Sequence, residues 1–466
     1  MEAEEMAHWQ IVIFGGTGNL TFLKLLPALQ ALWLTSPGGT SPAVLALGRR
    51  DYDDLSYRER VKGEAGIDEP RFLAQIGYQR LDFATDQDYL DLAGRLDARP
   101  RLYYLATSPE FFSAIAARLR QAGLVRDEDR VVFEKPFGRD LASATEINRA
   151  VTRTFREENI YRIDHYLGKE MVQNIMILRF TNRIFESVWQ NHDVEDVQLL
   201  VKEKEGIGDR GGYYDEAGAL RDMVQSHLLQ MLSLVAMARP VHFDTEYIRD
   251  EKVKVLRDIR IEDPARDLLF GQYHGYLVES RVPPGSTTET YVALRLAIEN
   301  HRWRGVPFYL VTGKALDERR AEIIIRFKCQ AGYRTENALS NLLIIKIQPE
   351  EGVAFRINVK QPGAESQVMS ESMEYCHSCK FALKSVGAYE KLLGDALQGD
   401  KTLFTRWDEL EYSWRVVDEI LAARARLNLP VHGYPRHGRG PAAATELLPT
   451  GGVQWLPGVA RSDRRD

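Results

Sequence analysis

The chain has 466 residues, which is more than one ordinary hydrophobic core accommodates, so two sizeable domains are expected. Its composition, 44% hydrophobic and 27% charged, is typical of a globular enzyme, and no stretch approaches the roughly 18 unbroken apolar residues of a membrane span. A net charge of -6 provides no broad positive field for nucleic-acid phosphates, and the acidic N-terminal segment is unlike a secretory signal. We expect a cytoplasmic protein that binds neither nucleic acid nor membrane.

The first third of the chain alternates strand and helix patterns. A strand at residues 10–16 precedes a glycine turn, an apolar helix at 23–33 and a second strand at 43–48. Two later apolar runs, RLYYLAT and RVVFEKPFG, are separated by a helical stretch from Phe111 to Ala122. This alternation predicts a Rossmann-type, doubly wound α/β domain over residues 1–163.

The remainder has a different pattern. A helical run extends from Asp215 to Arg239, and alternating apolar segments follow at 289–300, 322–328 and 342–349. Such alternation is typical of antiparallel strands that bury one face. Residues 164–466 are therefore predicted to form a larger α+β domain with a mostly antiparallel sheet.

A glycine cluster follows the first strand directly. Its members are Gly15, Gly16, Thr17, Gly18, Asn19 and Leu20. At a strand-to-helix turn, such residues direct backbone N–H groups and the helix dipole at a pyrophosphate. The spacing is Gly-x-x-Gly and not the full Gly-x-Gly-x-x-Gly, so a tight turn without a ligand remains the alternative.

The second strand bears on the choice of dinucleotide. An NAD site usually has an acidic residue there for the ribose 2′-OH, whereas this strand ends in Gly48-Arg49-Arg50. An arginine at this place suits a 2′-phosphate, and Arg49 is the better candidate of the two. We predict NADP as the cofactor, with NAD possible; a solvated basic loop is the alternative.

Three donors suited to a phosphate dianion are clustered in YRIDHYLGKE, residues 161–170. If Asp164 to Lys169 is helical, His165 and Lys169 lie one turn apart on one face with Tyr166 beside them. Asp164 then points aside, where a carboxylate could hold a histidine from elsewhere in the chain. The alternative is an ordinary surface helix, and Gly168 weakens the helix prediction.

A second chemical candidate lies in the Asp215–Arg239 run. Its apolar residues recur at helical spacing and predict a core-facing stripe, with His227 on the flank. A histidine at such a place is more often a packed core residue than a base. Asp222 is predicted on a different face, where it could accept a sugar hydroxyl.

The cysteines are few. Cys376 and Cys379 form Cys-His-Ser-Cys, but no second pair of metal-ligating residues lies nearby in the sequence. We therefore expect reduced structural thiols and no metal site.

These motifs resemble those of the glucose-6-phosphate dehydrogenase family, from about Ile11 to about Trp455. The resemblance is carried by RIDHYLGKE and RGGYYDEAGALRDMVQSHLLQ, and also by EKPFGRD, GVPFYLVTGK, TGKALDERRAE and TLFTRWDELEYSWR. It implies oxidation of D-glucose 6-phosphate at C1 to 6-phospho-D-glucono-1,5-lactone, with hydride transfer to NADP. It also implies a homodimer or homotetramer that pairs through the large sheet.

The resemblance assigns a role to each candidate. His227 is similar to the family's general base, Asp164 to the carboxylate that orients it, and Lys135 to the lysine that contacts both sugar and nicotinamide. The remaining matches are the phosphate ligands His165, Tyr166 and Lys169, the ring-hydroxyl acceptors Glu203 and Asp222, and the basic substrate contacts Lys314 and Arg319.

Departures from the family pattern leave two alternatives open. Asn19 stands where the family usually has aspartate, Phe22 and Leu23 replace polar residues, and Ser226 replaces an asparagine beside the histidine. One alternative is a dehydrogenase of another hexose or amino-hexose phosphate; the other is a non-catalytic dinucleotide-binding relative.

Overall fold

The computed structural model describes residues 8–35, 42–329, 339–363, 367–377 and 387–447. The chain forms two compact units, each assembled from three segments. Unit 1 comprises Met1–Gln173, Met237–Lys254 and Lys384–Arg415, and unit 2 comprises Asn174–Ala236, Val255–Leu383 and Val416–Asp466. The domain boundary at residue 163 stays a prediction about the sequence; the compact units themselves are interleaved along the chain.

The sheet of unit 1 has six strands in the order β3-β2-β1-β4-β5-β6, and all neighbours are parallel. The strands are β1 Gln10–Phe14, β2 Ala43–Gly48, β3 Ile76–Arg80, β4 Arg101–Leu105, β5 Arg130–Glu134 and β6 Ile160–Ile163. β1 and β4 are buried at every residue, as expected for parallel strands covered on both faces. The strand order reverses between β1 and β4, which is where doubly wound sheets bind ligands. The predicted Rossmann-type fold is confirmed.

Helices connect these strands. Those lying wholly or partly in unit 1 are Leu26–Thr35, Asp54–Ala65, Pro70–Ala74, Asp86–Leu92, Phe112–Gln121, Leu141–Thr152, Glu170–Thr181, Thr245–Asp258, Ala388–Gln398 and Trp407–Leu427. Two of them begin at capping boxes, in which Asp53 and Asp140 each exchange hydrogen bonds with a serine three residues later. The helix predicted from Phe111 to Ala122 is confirmed to within one residue at each end.

Unit 2 is built on a large mixed sheet. Its strands are β7 Val194–Lys202, β8 Ile259–Arg260, β9 Leu268–Tyr273, β10 Tyr291–Ile298, β11 Phe308–Gly313, β12 Arg320–Phe327, β13 Leu342–Gln348, β14 Gly352–Lys360, β15 Val368–Cys376 and β16 Val431–Tyr434. The order is β15-β14-β13-β12-β7-β11-β10-β9-β16, with β8 paired to β10. Only the pairs β7–β11 and β9–β16 are parallel. The predicted mostly antiparallel sheet is confirmed.

The helical run of unit 2 has three parts and is not one α-helix. An α-helix over Gly211–Ala219 is followed by a π-helix over Leu220–Leu228 and an α-helix over Leu229–Ala236. Gly218 has φ 67° and ψ 172°, which breaks the first helix, because only glycine adopts that conformation without strain. The remaining helices of the unit are Arg183–Glu186, Pro264–Asp267 and Ala444–Leu447. In the part of the chain that the structure describes, no helix combines the length and apolarity needed to span a membrane.

The cysteine expectation is corrected at one residue. Cys376, the last residue of β15, is disulfide-bonded, whereas Cys329 is exposed. Cys379 lies outside the described residues. The expectation of reduced thiols rested on a compartment inferred from composition, and composition does not determine whether a given cysteine has a partner in bonding range.

Candidate functional site

The glycine turn of unit 1 is held by short backbone contacts. The N–H groups of Gly15 and Gly16 both donate to the carbonyl of Leu47, at 3.0 and 2.8 Å. Gly15 has φ 87°, and a Cβ there would lie 2.2 Å from the carbonyl oxygen of Ala106. A Cβ on Gly16 would lie 2.7 Å from the Cβ of Ala46. Only glycine fits at both positions, and the turn leads directly into the helix whose N-terminus attracts anions.

The helix that follows begins with helical residues Asn19 and Leu20 and continues as a π-helical turn over Thr21–Leu25. Phe22 is 1% exposed, packs on the ring of Tyr57, and lies under the guanidinium of Arg60. Leu23 is 60% exposed. Phe22 is thus a core residue, so the loss of a polar side chain at this position removes nothing from the surface of the turn.

Two consecutive arginines directly follow β2. Arg49 and Arg50 are both exposed, and the backbone beneath them is fixed by the Tyr78 hydroxyl, which donates to the carbonyls of Gly48 at 2.9 Å and Arg50 at 2.6 Å. No acidic residue stands at the strand end itself. This arrangement places a free guanidinium where a ribose 2′-substituent lies in a fold of this kind.

The end of β5 carries Lys135, which is half-buried. The preceding carboxylate, Glu134, accepts hydrogen bonds from two phenols, Tyr104 at 2.6 Å and Tyr389 at 3.0 Å. Burial raises the pKa of Glu134, and the two phenols partly offset that effect. The pair of tyrosines fixes the backbone from which the Lys135 side chain extends. Sequence reasoning missed both tyrosines, since only the fold brings them to the strand end.

The segment Asp164–Lys169 is a series of turns and not a helix, so the helical prediction is wrong here. Asp164 accepts a hydrogen bond from the Tyr166 N–H at 2.9 Å, an Asx turn that competes with helix formation. Gly168 is closely packed: a Cβ there would lie 2.9 Å from the carbonyl oxygen of Ala388. The helix begins only at Glu170.

The three predicted phosphate donors nevertheless lie together. The rings of His165 and Tyr166 are 5.0 Å apart, and the Lys169 Nζ lies 4.9 Å from the centre of the Tyr166 ring. His165 and Lys169 are half-buried, whereas Tyr166 is 5% exposed. The three side chains are thus close together through turns, and their binding of a phosphate stays a prediction.

The π-helix of unit 2 changes the relation between Asp222 and His227. Its i→i+5 hydrogen-bond pattern places residues five apart about one turn from each other, whereas in an α-helix they face different sides. The prediction that Asp222 lies on a different face assumed α-helical periodicity, which this segment does not have, and it stays a prediction. Asp222 is 9% exposed and His227 is fully buried. π-Helical turns are rare and occur frequently at functional sites.

Lys314 joins this helix to the sheet. Its Nζ lies 3.5 Å from a carboxylate oxygen of Asp222 and donates a short hydrogen bond to Glu203. The side chain, 3% exposed, also lies 5.1 Å from the centre of the Tyr214 ring. The structure thus brings together Glu203, Asp222 and Lys314, three residues to which the family resemblance assigns substrate contacts. A buried ammonium between two carboxylates forms a polar group suited to hydroxyl recognition.

Arg319 is exposed at the residue before β12, and in the part of the chain that the structure describes no hydrogen bond or ion pair connects it to Glu203, Asp222 or Lys314.

Sequence reasoning missed Tyr214, whose ring packs against the Lys314 ammonium. The sequence has two adjacent tyrosines, Tyr213 and Tyr214, and nothing in it indicates which of them contacts a lysine 100 residues later.

Fold and site together define a class of protein. A doubly wound unit with a glycine turn built for a pyrophosphate, and a second unit with a buried histidine and a carboxylate–lysine group, are the parts of a dinucleotide-dependent dehydrogenase.

Comparison with known proteins gives the family. The family model described as "Glucose-6-phosphate dehydrogenase, NAD binding domain" matches residues 12–174, and "Glucose-6-phosphate dehydrogenase, C-terminal domain" matches residues 176–456. The glucose-6-phosphate 1-dehydrogenase of Bacillus subtilis (strain 168) is 40% identical over 488 residues, covering 98% of this chain and 99% of the relative.

Solved structures agree with this. A glucose-6-phosphate dehydrogenase in complex with its substrate glucose-6-phosphate aligns with a TM-score of 0.87 at 35% identity, over 95% of this chain and 97% of that one. The glucose-6-phosphate 1-dehydrogenase of Mycobacterium avium aligns with a TM-score of 0.84 at 32% identity, over 94% and 96%. This chain belongs to the glucose-6-phosphate dehydrogenase family.

Proposed function

We propose that this chain oxidises D-glucose 6-phosphate at C1 to 6-phospho-D-glucono-1,5-lactone and passes the hydride to NADP. The observation that supports this most is the polar group of Lys314, Asp222 and Glu203 beside a π-helix that also carries the buried His227. Family membership supports it independently.

The proposed proton transfer uses His227. Oxidation at C1 removes a proton from the C1 hydroxyl oxygen and a hydride from C1 itself, so the base must be held close to that hydroxyl. His227 takes the proton in this proposal, and Asp164 is the carboxylate that orients the imidazole and stabilises its charged form. The bound dinucleotide supplies the hydride acceptor at its nicotinamide ring.

The sugar phosphate is bound through both ends in this proposal. His165, Tyr166 and Lys169 hold the phosphate, since a lysine and two hydrogen-bonding rings in mutual contact suit a dianion. Glu203 and Asp222 accept ring hydroxyls, with Lys314 and Arg319 as further basic contacts and Lys135 between sugar and nicotinamide.

The residues of unit 1 fit a dinucleotide. Gly15, Gly16 and Gly18, with Thr17, Asn19 and Leu20, provide the turn for the pyrophosphate, and the space that a Cβ would fill at Gly15 and Gly16 is needed by the backbone itself. We assign the 2′-phosphate to Arg49, which is exposed and directly follows β2, where an NAD site usually has an acidic residue. NADP is preferred over NAD on this assignment.

We also propose a homodimer or homotetramer that pairs through the sheet of unit 2. β15 is the outer strand at one edge, and Met369 and Met373 are 36% and 56% exposed on it. Exposed apolar side chains on an outer strand are typical of a surface that pairs. A cytoplasmic location is proposed because charged sugar phosphates and dinucleotides do not cross membranes unaided.

One assay tests the proposal. The full chain is mixed with glucose 6-phosphate and either NADP or NAD, and the absorbance of the reduced nicotinamide is followed. Glucosamine 6-phosphate, galactose 6-phosphate and free glucose are each tested in separate reactions as alternative substrates. We expect the highest kcat/KM with glucose 6-phosphate and NADP. A higher value with another hexose phosphate would reassign the substrate, and no reduction with any sugar would indicate a non-catalytic relative.

A further inference from the structure

Glu289 connects two parts of the candidate site. It lies two residues before β10, and its side chain is 3% exposed. One carboxylate oxygen, Oε1, accepts a hydrogen bond from the Leu220 N–H at 3.2 Å, and the Glu289 carbonyl accepts one from the Ala219 N–H at 2.9 Å. Ala219 and Leu220 are the residues at which the π-helix starts. A carboxylate at a helix N-terminus satisfies unpaired N–H groups and complements the helix dipole.

The glycine before this helix is shaped by the same carboxylate. A Cβ on Gly218 would lie 2.3 Å from Glu289 Oε1, and its φ of 67° also excludes most other residues. The helix is therefore kinked at Gly218, close to the Glu289 carboxylate. The first residue of the π-helix is bonded to a side chain 69 residues away in sequence.

The other carboxylate oxygen is fixed by Arg424. Its Nη1 donates to Glu289 Oε2 at 2.6 Å, and its Nη2 donates to the carbonyl of Thr287 at 2.7 Å. The guanidinium also lies 4.6 Å from the centre of the Phe270 ring on β9. A buried carboxylate needs such a partner, because an unpaired charge would be costly. Arg424 thus holds Glu289 in a single orientation.

The next residue along the chain reaches the second part of the site. The carbonyl of Thr290 accepts a hydrogen bond from the Lys314 N–H at 2.9 Å. The Tyr434 hydroxyl donates to the carbonyl of Lys314 at 2.8 Å and to that of Thr290 at 3.2 Å. The pair Glu289–Thr290 therefore contacts both the start of the helix that carries Asp222 and the backbone of Lys314.

We propose that Glu289, fixed by Arg424, is a positioning residue that sets the π-helix bearing Asp222 and His227 relative to Lys314. It does not touch the substrate. This inference rests on the proposed function for its kinetic consequence, and on geometry alone for its effect on the helix.

The test uses the full chain with Glu289→Gln and Glu289→Ala. The matched control is Asp196→Asn, since Asp196 is a buried carboxylate of the same unit that pairs with Arg326 between β7 and β12. We expect kcat/KM for glucose 6-phosphate to fall about 100-fold in Glu289→Ala, because small displacements of reacting groups have effects of that order. Glu289→Gln should lose less, since its amide oxygen can still accept from Leu220.

Two readouts separate positioning from loss of stability. A misplaced His227 slows hydride transfer, so kcat should fall and the primary isotope effect with substrate deuterated at C1 should increase, whereas a misplaced Asp222 weakens sugar binding, so KM should rise. A variant that is only less stable shows a lower melting temperature and unchanged values of all three for its folded fraction. Asp196→Asn is expected to behave in that second way.

Hydrogen exchange provides a measurement that does not need activity. Amides of residues 219–228 should exchange faster in Glu289→Ala than in the parent, and their exchange in Asp196→Asn should equal that of the parent. If the parent reduces no nicotinamide but Glu289→Ala still shows this faster exchange, the positioning of the helix is supported while the proposed function fails. Parent-like exchange, or kinetics in Glu289→Ala that match those of Asp196→Asn, would overturn the inference.

Discussion

The glycine turn of unit 1 and the π-helix of unit 2 each contribute to a candidate ligand site, but different kinds of contact hold them in place. The turn is held mainly through its backbone: the N–H groups of Gly15 and Gly16 donate to the carbonyl of Leu47 on β2, and the Tyr57 hydroxyl donates to the carbonyl of Gly16 at 2.5 Å. The first turn of the π-helix is held by charged side chains from distant parts of the chain, Glu289 at Leu220 and Lys314 at Asp222. Backbone packing thus shapes the proposed cofactor turn, and side-chain contacts shape the proposed sugar site.

The difference teaches where a substitution is tolerated. A glycine turn fails when a Cβ is added, because the space is absent, whereas a side-chain network fails when one partner is removed and leaves another buried and unpaired. The predictions below challenge this contrast, and they are ordered from the largest expected effect to the smallest.

His227→Asn should lower kcat by about 10²–10⁴-fold and leave the KM for glucose 6-phosphate nearly unchanged, since a general base acts on the transition state. Steady-state kinetics with glucose 6-phosphate and NADP measure both. Asp196→Asn is the control for general damage to unit 2. If His227→Asn keeps near-parent kcat, the histidine is a packing residue and the proposed mechanism is wrong.

Phe22→Ala should lower the free energy of unfolding by about 3–5 kcal/mol, because the ring is fully buried against Tyr57. Leu23→Ala, at an exposed neighbouring position, should change it by less than about 0.5 kcal/mol. Denaturant melts of both variants measure the difference. Equal losses would mean that Phe22 is not the packing residue of this turn.

Lys169→Ala should raise the KM for glucose 6-phosphate by about tenfold to a hundredfold, because a charge-assisted hydrogen bond worth roughly 1.5–3 kcal/mol is lost. The KM for free glucose, which lacks the phosphate, should be unaffected. Lys62→Ala, at an exposed helix position paired only with Glu59, is the control. Equal effects on both sugars would show that Lys169 does not bind the phosphate.

Arg49→Ala should lower the ratio of kcat/KM for NADP to that for NAD by about tenfold, because an exposed bidentate contact to the 2′-phosphate is lost. The value for NAD should hardly change. Arg50→Ala, on the neighbouring exposed arginine, shows whether the effect is specific to one position. A parent enzyme that already prefers NAD, or a variant with an unchanged ratio, would remove Arg49 as the 2′-phosphate ligand.

Much of the fold was readable from the sequence, because it follows from short-range patterns. Alternation of strands and helices predicted the parallel sheet of unit 1, and apolar alternation predicted the antiparallel sheet of unit 2. Glycines 15 and 16 were recognisable because a glycine cluster directly follows the first strand, although the atoms that exclude a Cβ there belong to the distant residues Ala106 and Ala46. His165, Tyr166 and Lys169 lie close together because residues one to four apart stay close in a turn as well as in a helix, and their binding of a phosphate stays a prediction.

The tertiary structure alone decided the rest. Sequence periodicity predicted an α-helix for the segment with Asp222 and His227, whereas the structure has a π-helix whose first N–H groups bond to Glu289. The turn at Asp164 formed because its carboxylate bonds the backbone and Gly168 is pressed against another helix. Tyr104, Tyr389, Tyr214 and Arg424 carry no local signal at all. Each acts on a residue far away in sequence, and such pairings are settled only when the core packs, because contact energies there exceed local conformational preferences.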